Sequence, residues 1–400
     1  MTTLLNRSAS DWQQVQGLAT AEEIAQQPRV WRELAASLAD HQAQLRAFLD
    51  AWLSQPSHRV ILTGAGSSAY VGQTLADEIN RDWPAEVRAV ATTSLLTHPE
   101  LYLQREQPTL LVSFARSGNS PESLAAVELL RQQIDAPRFL NITCNAEGEL
   151  YRNNAARADT LNLLMPAASC DRGFAMTSSF SSMQLAALAA FSRAPWAERL
   201  TRLELVASRA EALLAQHAAT LAELAAQPFD RIVYLGSGPL EALAQESALK
   251  VLELTSGRVL AFSNTLLGFR HGPKSMLNGQ SLVVIFQSQD AHARRYEQDL
   301  LNELLRDGIA GRVLLIGEAG AGALQGDNPL LSRALSAEPS GLSDSWLTTL
   351  WLILAQQYAL HRSVALGLTP DNPFPDGTVN RVVQGVEIYP YVESARAHCD

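Results

Sequence analysis

Short apolar runs alternate with longer stretches of helical spacing along most of the chain. The first half carries five such runs, several of them rich in β-branched residues, at 59–63, 87–91, 109–114, 138–143 and 160–165. Strands that alternate with helices in this way form a parallel sheet covered by helices. The pattern therefore predicts a doubly wound α/β domain that opens with a strand, a Gly-rich turn and a helix over 59–79.

Helical spacing without intervening strands marks three other segments. They are 20–55, 201–227 and 343–362. The first is predicted to be two helices divided near Pro28, with Thr20 and Glu23 forming a capping box at its start. The tail that follows the last helix is rich in Pro, Gly and Asn, so it is predicted to be an extended coil that packs on another part of the protein.

The second half of the chain begins with the same pattern as the first. RVILTGAG at 59–66 and RIVYLGSG at 231–238 match at a constant offset of 172 residues. Three pairs stay in step: Arg59 with Arg231, Gly64 with Gly236, and Gly66 with Gly238. Further apolar runs at 281–286, 312–316 and 333–336 supply strands for a second sheet. We interpret this pattern as an internal duplication.

The prediction is therefore an α/β protein with two doubly wound parallel-sheet domains of the flavodoxin-like or Rossmann-like type. A length of 400 residues with 47% hydrophobic and 18% charged residues is sufficient for two such cores. The expected parts are an N-terminal helical segment at 1–55, a first domain at 56–200, a second domain at 201–365 and a C-terminal coil at 366–400.

Charge and composition exclude several classes of partner. The net charge is −10 and no run is dense in Lys or Arg, so nucleic acid is not an expected partner. No apolar segment is long enough to span a bilayer, and the N-terminus lacks a basic and apolar leader. The three cysteines form neither a CxxC pair nor an even framework, which predicts free thiols and a cytoplasmic location.

Two polar loops follow predicted strands of the first sheet. The candidate ligand-binding residues in these loops are Gly66, Ser67, Ser68, Arg116, Ser117, Asn119 and Ser120. Because ligands of open α/β sheets bind at the carboxyl ends of neighbouring strands, we expect these loops to hold the phosphate of a small molecule. Simple N-capping by Ser120 with Ser123 is the open alternative. Ala69 stands where a dinucleotide fingerprint needs glycine, and there is no P-loop lysine.

A helical stripe in the second half carries three ionisable groups. Glu246, Lys250 and Glu253 are four and three residues apart, so they lie on one face of a helix. That spacing fits an acid–base site and equally a solvated salt-bridge ladder. His271 follows in a Gly-Pro turn, and none of the eight histidines has metal-ligand spacing, so no metal is expected.

These motifs together resemble the sugar isomerase (SIS) superfamily, with two SIS domains in tandem over roughly residues 40–390. Taken in order, LTGAGSSA, SFARSGNSPES, DRGFAMTSS, ESALKVLELTSG, GFRHGPKS and GTVNRVVQGV are similar to the AgaS group of that superfamily. The resemblance implies that Ser68, Ser117 and Ser120 bind the phosphate of a hexose 6-phosphate. It also implies that Thr177 lies near the sugar, in a third loop formed by DRGFAMTSS at 171–179. It also implies a dimer or higher homo-oligomer in which His271 is supplied by the partner subunit.

The AgaS resemblance implies a galactosamine-6-phosphate deaminase/isomerase of amino-sugar catabolism without metal or organic cofactor. His271 would open the sugar ring, and Glu253 would move a proton from C2 to C1. Lys250 would stabilise the developing enolate oxygen, and Glu246 would orient Lys250 or the amine. Water would then release ammonia and leave tagatose 6-phosphate.

Departures from the isomerase half of glucosamine-6-phosphate synthase, a member of the same superfamily, refine this expectation. No glutamine-hydrolysing domain is seen before the first SIS-like strand, so the protein is expected to release ammonia. Ala115 and Arg116 replace a serine and a glutamine, which adds one guanidinium for the phosphate. A Schiff-base lysine of the C-terminal coil is replaced near Val383. The alternatives are a plain aldose–ketose isomerase and a non-catalytic sugar-phosphate sensor, although no helix-turn-helix precedes the first domain.

Overall fold

The computed structural model describes residues 3–319 and 335–392. Three helices precede the first sheet: α1 (Ala9–Gln14), α2 (Leu18–Ala25) and α3 (Gln27–Leu53). The predicted division near Pro28 is confirmed, because Pro28 lies in the first turn of α3, where its missing N–H is not needed.

The predicted capping box at Thr20 and Glu23 is wrong. Gly17 is the N-cap of α2, and the two side chains bind other parts of the chain. The Thr20 hydroxyl donates to Asp371 at 2.7 Å, and the Glu23 carboxylate accepts the backbone N–H groups of Arg172 and Gly173. Both side chains therefore anchor distant segments instead of a helix start.

The first domain contains a five-stranded parallel sheet in the order β2-β1-β3-β4-β5. Its strands are β1 (Arg59–Thr63), β2 (Glu86–Ala89), β3 (Thr109–Ala115), β4 (Pro137–Thr143) and β5 (Thr160–Leu164). The helices around it are α4 (Ser67–Gln73), α5 (Ala76–Asp82), α6 (Thr92–Thr97), α7 (Pro121–Gln133), α8 (Glu149–Arg152) and α9 (Ser178–Phe191), with 3₁₀ turns at Pro99–Leu101 and Ala167–Ser169. All five predicted strands are present.

The second domain repeats this arrangement. Helix α10 (Trp196–Ala226) leads into a five-stranded parallel sheet of order β10-β9-β8-β6-β7. Its strands are β6 (Arg231–Leu235), β7 (Leu260–Asn264), β8 (Ser281–Phe286), β9 (Arg312–Glu318) and β10 (Leu335–Ala337). Its helices are α11 (Pro239–Leu254), α12 (Leu266–Phe269), α13 (Ala291–Asp307) and α14 (Asp344–Ala365), with a 3₁₀ turn at Pro273–Met276.

The two sheets have the same strand order when each is counted from its own first strand, namely 2-1-3-4-5, the flavodoxin-like order. The turns after their first strands also agree: Gly66 has φ 56° and ψ −131°, and Gly238 has φ 58° and ψ −131°. Side chains disfavour such angles, so glycine is needed at both positions. The repeated fold is what the duplicated sequence pattern predicts.

Two details of the second sheet differ from the sequence expectation. Strand β7 was not predicted, because it is an edge strand with an exposed Leu260 and partly exposed polar residues. An edge strand has one neighbour and does not require a continuous apolar run. Of the strand predicted at 333–336, residues 333 and 334 lie outside the described residues, and the described strand is β10.

Helix α14 joins the two domains into one core. Every residue from Ser345 to Ser363 is buried, and α14 packs on both α10 and α11. The helix is apolar over most of its first half and carries buried polar side chains further on, such as Gln356, Gln357 and Arg362. The same hydrophobic cluster includes side chains from both sheets. Within the described residues, no helix is both long and apolar enough to cross a bilayer.

The predicted extended tail is confirmed for the part that is described, since 366–392 contains no helix or strand. It is nevertheless anchored. Asp371 accepts the backbone N–H groups of Ala19 and Thr20 at 3.1 and 2.8 Å, and the rings of Phe174 and Phe374 are 5.1 Å apart. The tail therefore runs back over the first domain, and residues 393–400 lie outside the described part.

Candidate active site

A cavity of about 240 Å³ lies at the carboxyl ends of β1 and β3. These strands are direct neighbours, whereas the next strands, β2 and β4, lie on opposite sides of the pair, so the cavity marks the switch point of the sheet. Seven predicted site residues line it: Gly66, Ser67, Ser68, Arg116, Ser117, Ser120 and Glu253. The two loops and the helical stripe therefore meet at one place.

Serine residues from both loops line this cavity. Ser68 Oγ is 3.8 Å from the sulfur of Met176, and Ser117 Oγ accepts the backbone N–H of Asn119 at 3.3 Å. Ser120 occupies the N-cap position of α7, but its hydroxyl makes no capping bond and donates to Glu122 at 2.6 Å. Capping therefore does not explain Ser120, and the alternative interpretation of this loop is wrong for that residue.

Arg116 is a buried cation in the wall of the cavity. It is only 8% exposed, and it donates to the carbonyl oxygens of Phe174 at 2.9 Å and Arg381 at 3.0 Å. Among the described residues, no carboxylate forms an ion pair with it. Burial lowers the pKa of Arg116, and the negative charge of Asp171 partly opposes this effect.

The acid–base stripe lies on α11, which reaches from the second domain to α4 of the first. Lys250 and Glu246 are fully buried, and the Glu253 side chain is 23% exposed where it lines the cavity. The Lys250 ammonium donates to Ser67 Oγ at 2.9 Å and to Glu253. Because two of the three groups are buried, the solvated salt-bridge ladder is wrong for this helix.

The electrostatics of the stripe depend on burial. Nζ of Lys250 is 3.3 Å from Oε1 of Glu246, an ion-pair distance without hydrogen-bond alignment. Burial raises the pKa of Glu246 to about 7, and the Lys250 charge limits the rise. Burial by itself would lower the pKa of Lys250, but Glu246 and Glu253 outweigh it and the pKa is raised. Lys250 is therefore a charged group, and Glu246 titrates near neutral pH.

Five predicted residues do not line the cavity of the single chain: Glu246, Lys250, Asn119, Thr177 and His271. Thr177 is buried at the start of α9, where its hydroxyl donates to Asp171 at 2.7 Å. The side-chain oxygen of Asn119 accepts the Glu149 N–H at 2.9 Å. His271 is exposed in the loop after α12. In one chain, therefore, none of these side chains is placed to contact a sugar directly.

Comparison with known proteins places these features in a family. The SIS domain model matches residues 53–193. The chain is 42% identical over 389 residues to D-galactosamine-6-phosphate deaminase AgaS of Shewanella sp. (strain ANA-3), covering 96% of this chain and 95% of that protein. It is 44% identical over 381 residues to D-galactosamine-6-phosphate deaminase AgaS of Escherichia coli, covering 94% and 96%. The chain belongs to the AgaS family of SIS-domain proteins.

The similarity to a solved structure covers both domains. The crystal structure of tagatose-6-phosphate ketose/aldose isomerase from Escherichia coli matches with a TM-score of 0.85 and 42% identity, covering 94% of this chain and 97% of that one. The SIS domain model itself matches only the region of the first sheet, whose loops form the cavity. The second SIS domain of this AgaS-family chain contributes Glu253 through α11.

Several lining residues of the AgaS-family cavity were missed by sequence reasoning. Residues 379–383 of the tail form part of the wall, together with Phe174 and Met176 of the third loop. The exposed aromatic residues of the tail indicated packing without a location, and the comparison with the synthase pointed only to the position near Val383. In the described ranges, no group of three or more His, Cys, Asp or Glu side chains is arranged to hold a metal ion. Cys144 and Cys170 are both free thiols.

Proposed function

We propose that this AgaS-family protein is a cytoplasmic deaminating aldose–ketose isomerase that converts galactosamine 6-phosphate and water into tagatose 6-phosphate and ammonia. One observation carries the proposal: Glu253 lines the same cavity as the serine-rich loops after β1 and β3. The carboxylate that we assign as the base and the loops that we assign to the phosphate thus share one cavity. Relatives named as deaminases of this amino-sugar phosphate align over nearly the whole chain.

The phosphate of the substrate is assigned to the loops. Ser68, Ser117 and Ser120 line the cavity, and Arg116 adds a buried positive charge without a carboxylate ion-pair partner among the described residues. A dianionic phosphate is a strong acceptor for such donors. Its binding would give Arg116 the direct ion-pair partner that it lacks among the described residues.

Glu253 is assigned as the base. In the open-chain sugar it removes the proton from C2, which gives an enolamine, and returns it to C1, which leaves an imine at C2. Water hydrolyses that imine, so that the C–N bond breaks and a ketone and ammonia form. A positioned base contributes about a hundred- to ten-thousandfold in rate. Lys250 contacts Glu253 from behind the cavity wall, so we assign it to positioning Glu253, with Glu246 as its buried counter-charge.

Ring opening is assigned to His271 of a partner subunit. Among the described residues, no histidine lines the cavity of the single chain, so a second copy would complete the site. His271 is exposed, and two exposed apolar side chains lie nearby in sequence, Leu267 (44% exposed) on α12 and Leu260 (53% exposed) on the edge strand β7. Exposed apolar side chains beside an edge strand are typical of a subunit interface. We therefore propose a homodimer or a larger assembly that contains this contact.

A second candidate is a plain ketose–aldose isomerase without deamination. It is favoured by the name of the structurally similar Escherichia coli protein, and it would use the same base and the same C2-to-C1 proton transfer. A sensor without catalysis is disfavoured, because binding alone gives no reason to bury Lys250 and Glu246 behind the carboxylate that faces the ligand.

The deciding experiment incubates the purified protein separately with galactosamine, glucosamine and N-acetylgalactosamine 6-phosphates and quantifies both ammonia and ketose. Equal amounts of ammonia and tagatose 6-phosphate from the first substrate are expected. Interconversion of tagatose 6-phosphate with galactose 6-phosphate, without ammonia from any amino sugar, would instead establish the plain isomerase.

Two substitutions separate chemistry from binding in this assay. Glu253→Gln removes the base and keeps its shape, so kcat should fall by about a hundredfold or more while substrate binding is retained. Ser117→Ala removes one phosphate donor, so KM should rise by about tenfold with a smaller change in kcat. If Glu253→Gln keeps most of its kcat, the base has been wrongly assigned.

A further inference from the structure

We propose that Arg116 is a positioning residue that fastens residues 379–383 of the C-terminal tail to the third loop, so that together they form one wall of the cavity. The inference deepens the proposed function and relies on it only for the identity of the ligand. Sequence reasoning assigned Arg116 to the phosphate alone.

The contacts of Arg116 join two segments that are far apart in the chain. One terminal nitrogen donates to the carbonyl oxygen of Phe174 in the third loop, and the other donates to the carbonyl oxygen of Arg381 in the tail. Phe174 and residues 379–383 line the cavity beside Arg116 itself. The guanidinium therefore lies where the phosphate loop, the third loop and the tail converge.

The bond to Arg381 is the main polar attachment of this part of the tail. Up to Phe374 the tail is held by Asp371, by the Ser256 bond to Pro373 and by the tilted ring contact between Phe374 and Phe174. For residues 375–392, the Arg116 bond is the only hydrogen bond in the described structure to a residue outside the tail. Loss of Arg116 should release the tail wall more than it disturbs the rest of the fold.

The geometry requires arginine and not merely a positive charge. A guanidinium presents N–H donors in a planar fork, so it can donate to two separate carbonyl oxygens at once without moving. A lysine ammonium at the end of a flexible chain cannot hold both oxygens in the same fixed arrangement. Since Arg116 precedes Ser117 directly, the wall is also tied to the phosphate loop.

Trypsin provides a direct test, because the peptide bond after Arg381 contains the carbonyl that Arg116 holds. Arg381 is exposed, but its carbonyl must enter the oxyanion hole of the protease before cleavage can occur. In Arg116→Gln, cleavage between Arg381 and Val382, followed by mass spectrometry, should be about tenfold faster than in the wild type, the effect of losing one hydrogen bond from a charged donor. Arg116→Lys should also be cleaved faster.

Arg172→Gln is the matched control, since Arg172 lies on the third loop but pairs with Glu22 and Glu23 and does not line the cavity. It should be cleaved at the wild-type rate. Cleavage at sites outside the tail reports general unfolding, so the Arg381 site is scored relative to those sites. In Arg116→Lys, KM should rise while kcat changes less, because the wall shapes binding and Glu253 is untouched.

The cleavage rates and KM values of the two Arg116 variants distinguish the fastening role from phosphate binding alone. If both Arg116 variants are cleaved at the wild-type rate, the fastening role is wrong, even if KM rises, because Arg116 then acts only on the phosphate. If Arg116→Lys restores both protection and KM, charge suffices and the fork is not required, which also overturns the proposal. Faster cleavage in both variants supports it. Failure of the wild type to release ammonia would refute the proposed function alone and leave the proteolysis result standing.

Discussion

Lys250 connects the chemistry of this site to the stability of the fold. Its ammonium is fully buried and contacts Ser67, Glu246 and Glu253, so one cation organises a hydroxyl from the first domain and two carboxyls of the second. Removing one partner of a buried ion pair typically costs about 3 to 5 kcal/mol, because the other charge is left without compensation. For substitutions of Lys250, Glu246 or Glu253, the free energy of unfolding should therefore be measured as well as kcat.

Glu246→Gln should flatten the pH dependence of stability. Burial raises the pKa of Glu246 from its ordinary value of 4.5 to about 7, so between these pH values the folded protein keeps a proton that the unfolded chain has lost. This contribution to the free energy of unfolding is fully present below pH 4.5 and is lost as the pH rises through 7. It amounts to about 3 kcal/mol. Urea denaturation at pH 5 and pH 7.5 should show a smaller loss in the variant than in the wild type.

Glu297→Gln is the matched control for this effect. Burial also raises the pKa of Glu297 to about 7, but Glu297 accepts a bond from Ser288 and does not line the cavity. Both variants should flatten the stability profile, and only Glu246→Gln should also lower kcat. An unchanged profile in Glu246→Gln would show that Glu246 is ionised throughout this range.

At the scale of elements, the start of α9 decides the position of the third loop. The Asp171 carboxylate accepts the backbone N–H groups of Thr177, Ser178 and Ser179 at 2.8, 2.9 and 3.0 Å, and it is fully buried. Ser178 and Ser179 lie in the first turn of α9 and Thr177 is its N-cap, so these N–H groups have no partner within the helix. Asp171 thus supplies the cap from outside the helix, which gives Thr177 a role in supporting the loop.

Asp171→Ala should destabilise the protein by about 3 to 5 kcal/mol, because several buried donors lose their shared charged acceptor. Thr177→Val removes one hydroxyl bond and should cost only about 1 kcal/mol. Urea denaturation measures both values. Similar effects of the two substitutions would contradict the view that the Asp171 carboxylate is the principal cap. A rise in KM for Asp171→Ala would link the cap to the cavity through Phe174 and Met176.

At the scale of the whole molecule, the site lies where the two domains meet, and the assignment of His271 extends it to a second copy of the chain. Mixed dimers of two inactive variants test directly whether His271 comes from the partner subunit. Glu253→Gln and His271→Asn should each be nearly inactive alone, but a mixed dimer holds one site with both native groups. With random exchange in a symmetric dimer, activity should return to about a quarter of the wild-type level. No recovery from demonstrated mixed dimers would show that the partner does not supply His271.

The architecture and the principal loops can be predicted from the amino-acid sequence. Alternating apolar runs and helical stretches specify a covered parallel sheet, and the strand ends of such a sheet share one edge, so the loops around Ser68 and Ser117 had to be near one another. The spacing of Glu246, Lys250 and Glu253 likewise fixed a common helical face. These inferences need only local periodicity and the general rules for connecting strands.

The burial and the contacts of these side chains follow from the folded structure and not from the local sequence. In the fold, Lys250 lies behind the cavity wall and Glu253 lines the cavity. The Thr177 hydroxyl donates to Asp171, and residues 379–383 form part of the cavity wall. The edge strand β7 is likewise identified by its parallel pairing with β6 and not by its sequence pattern. Each of these features depends on contacts between segments far apart in the chain. Such contacts are set by how whole helices and strands pack, so local sequence patterns do not predict them.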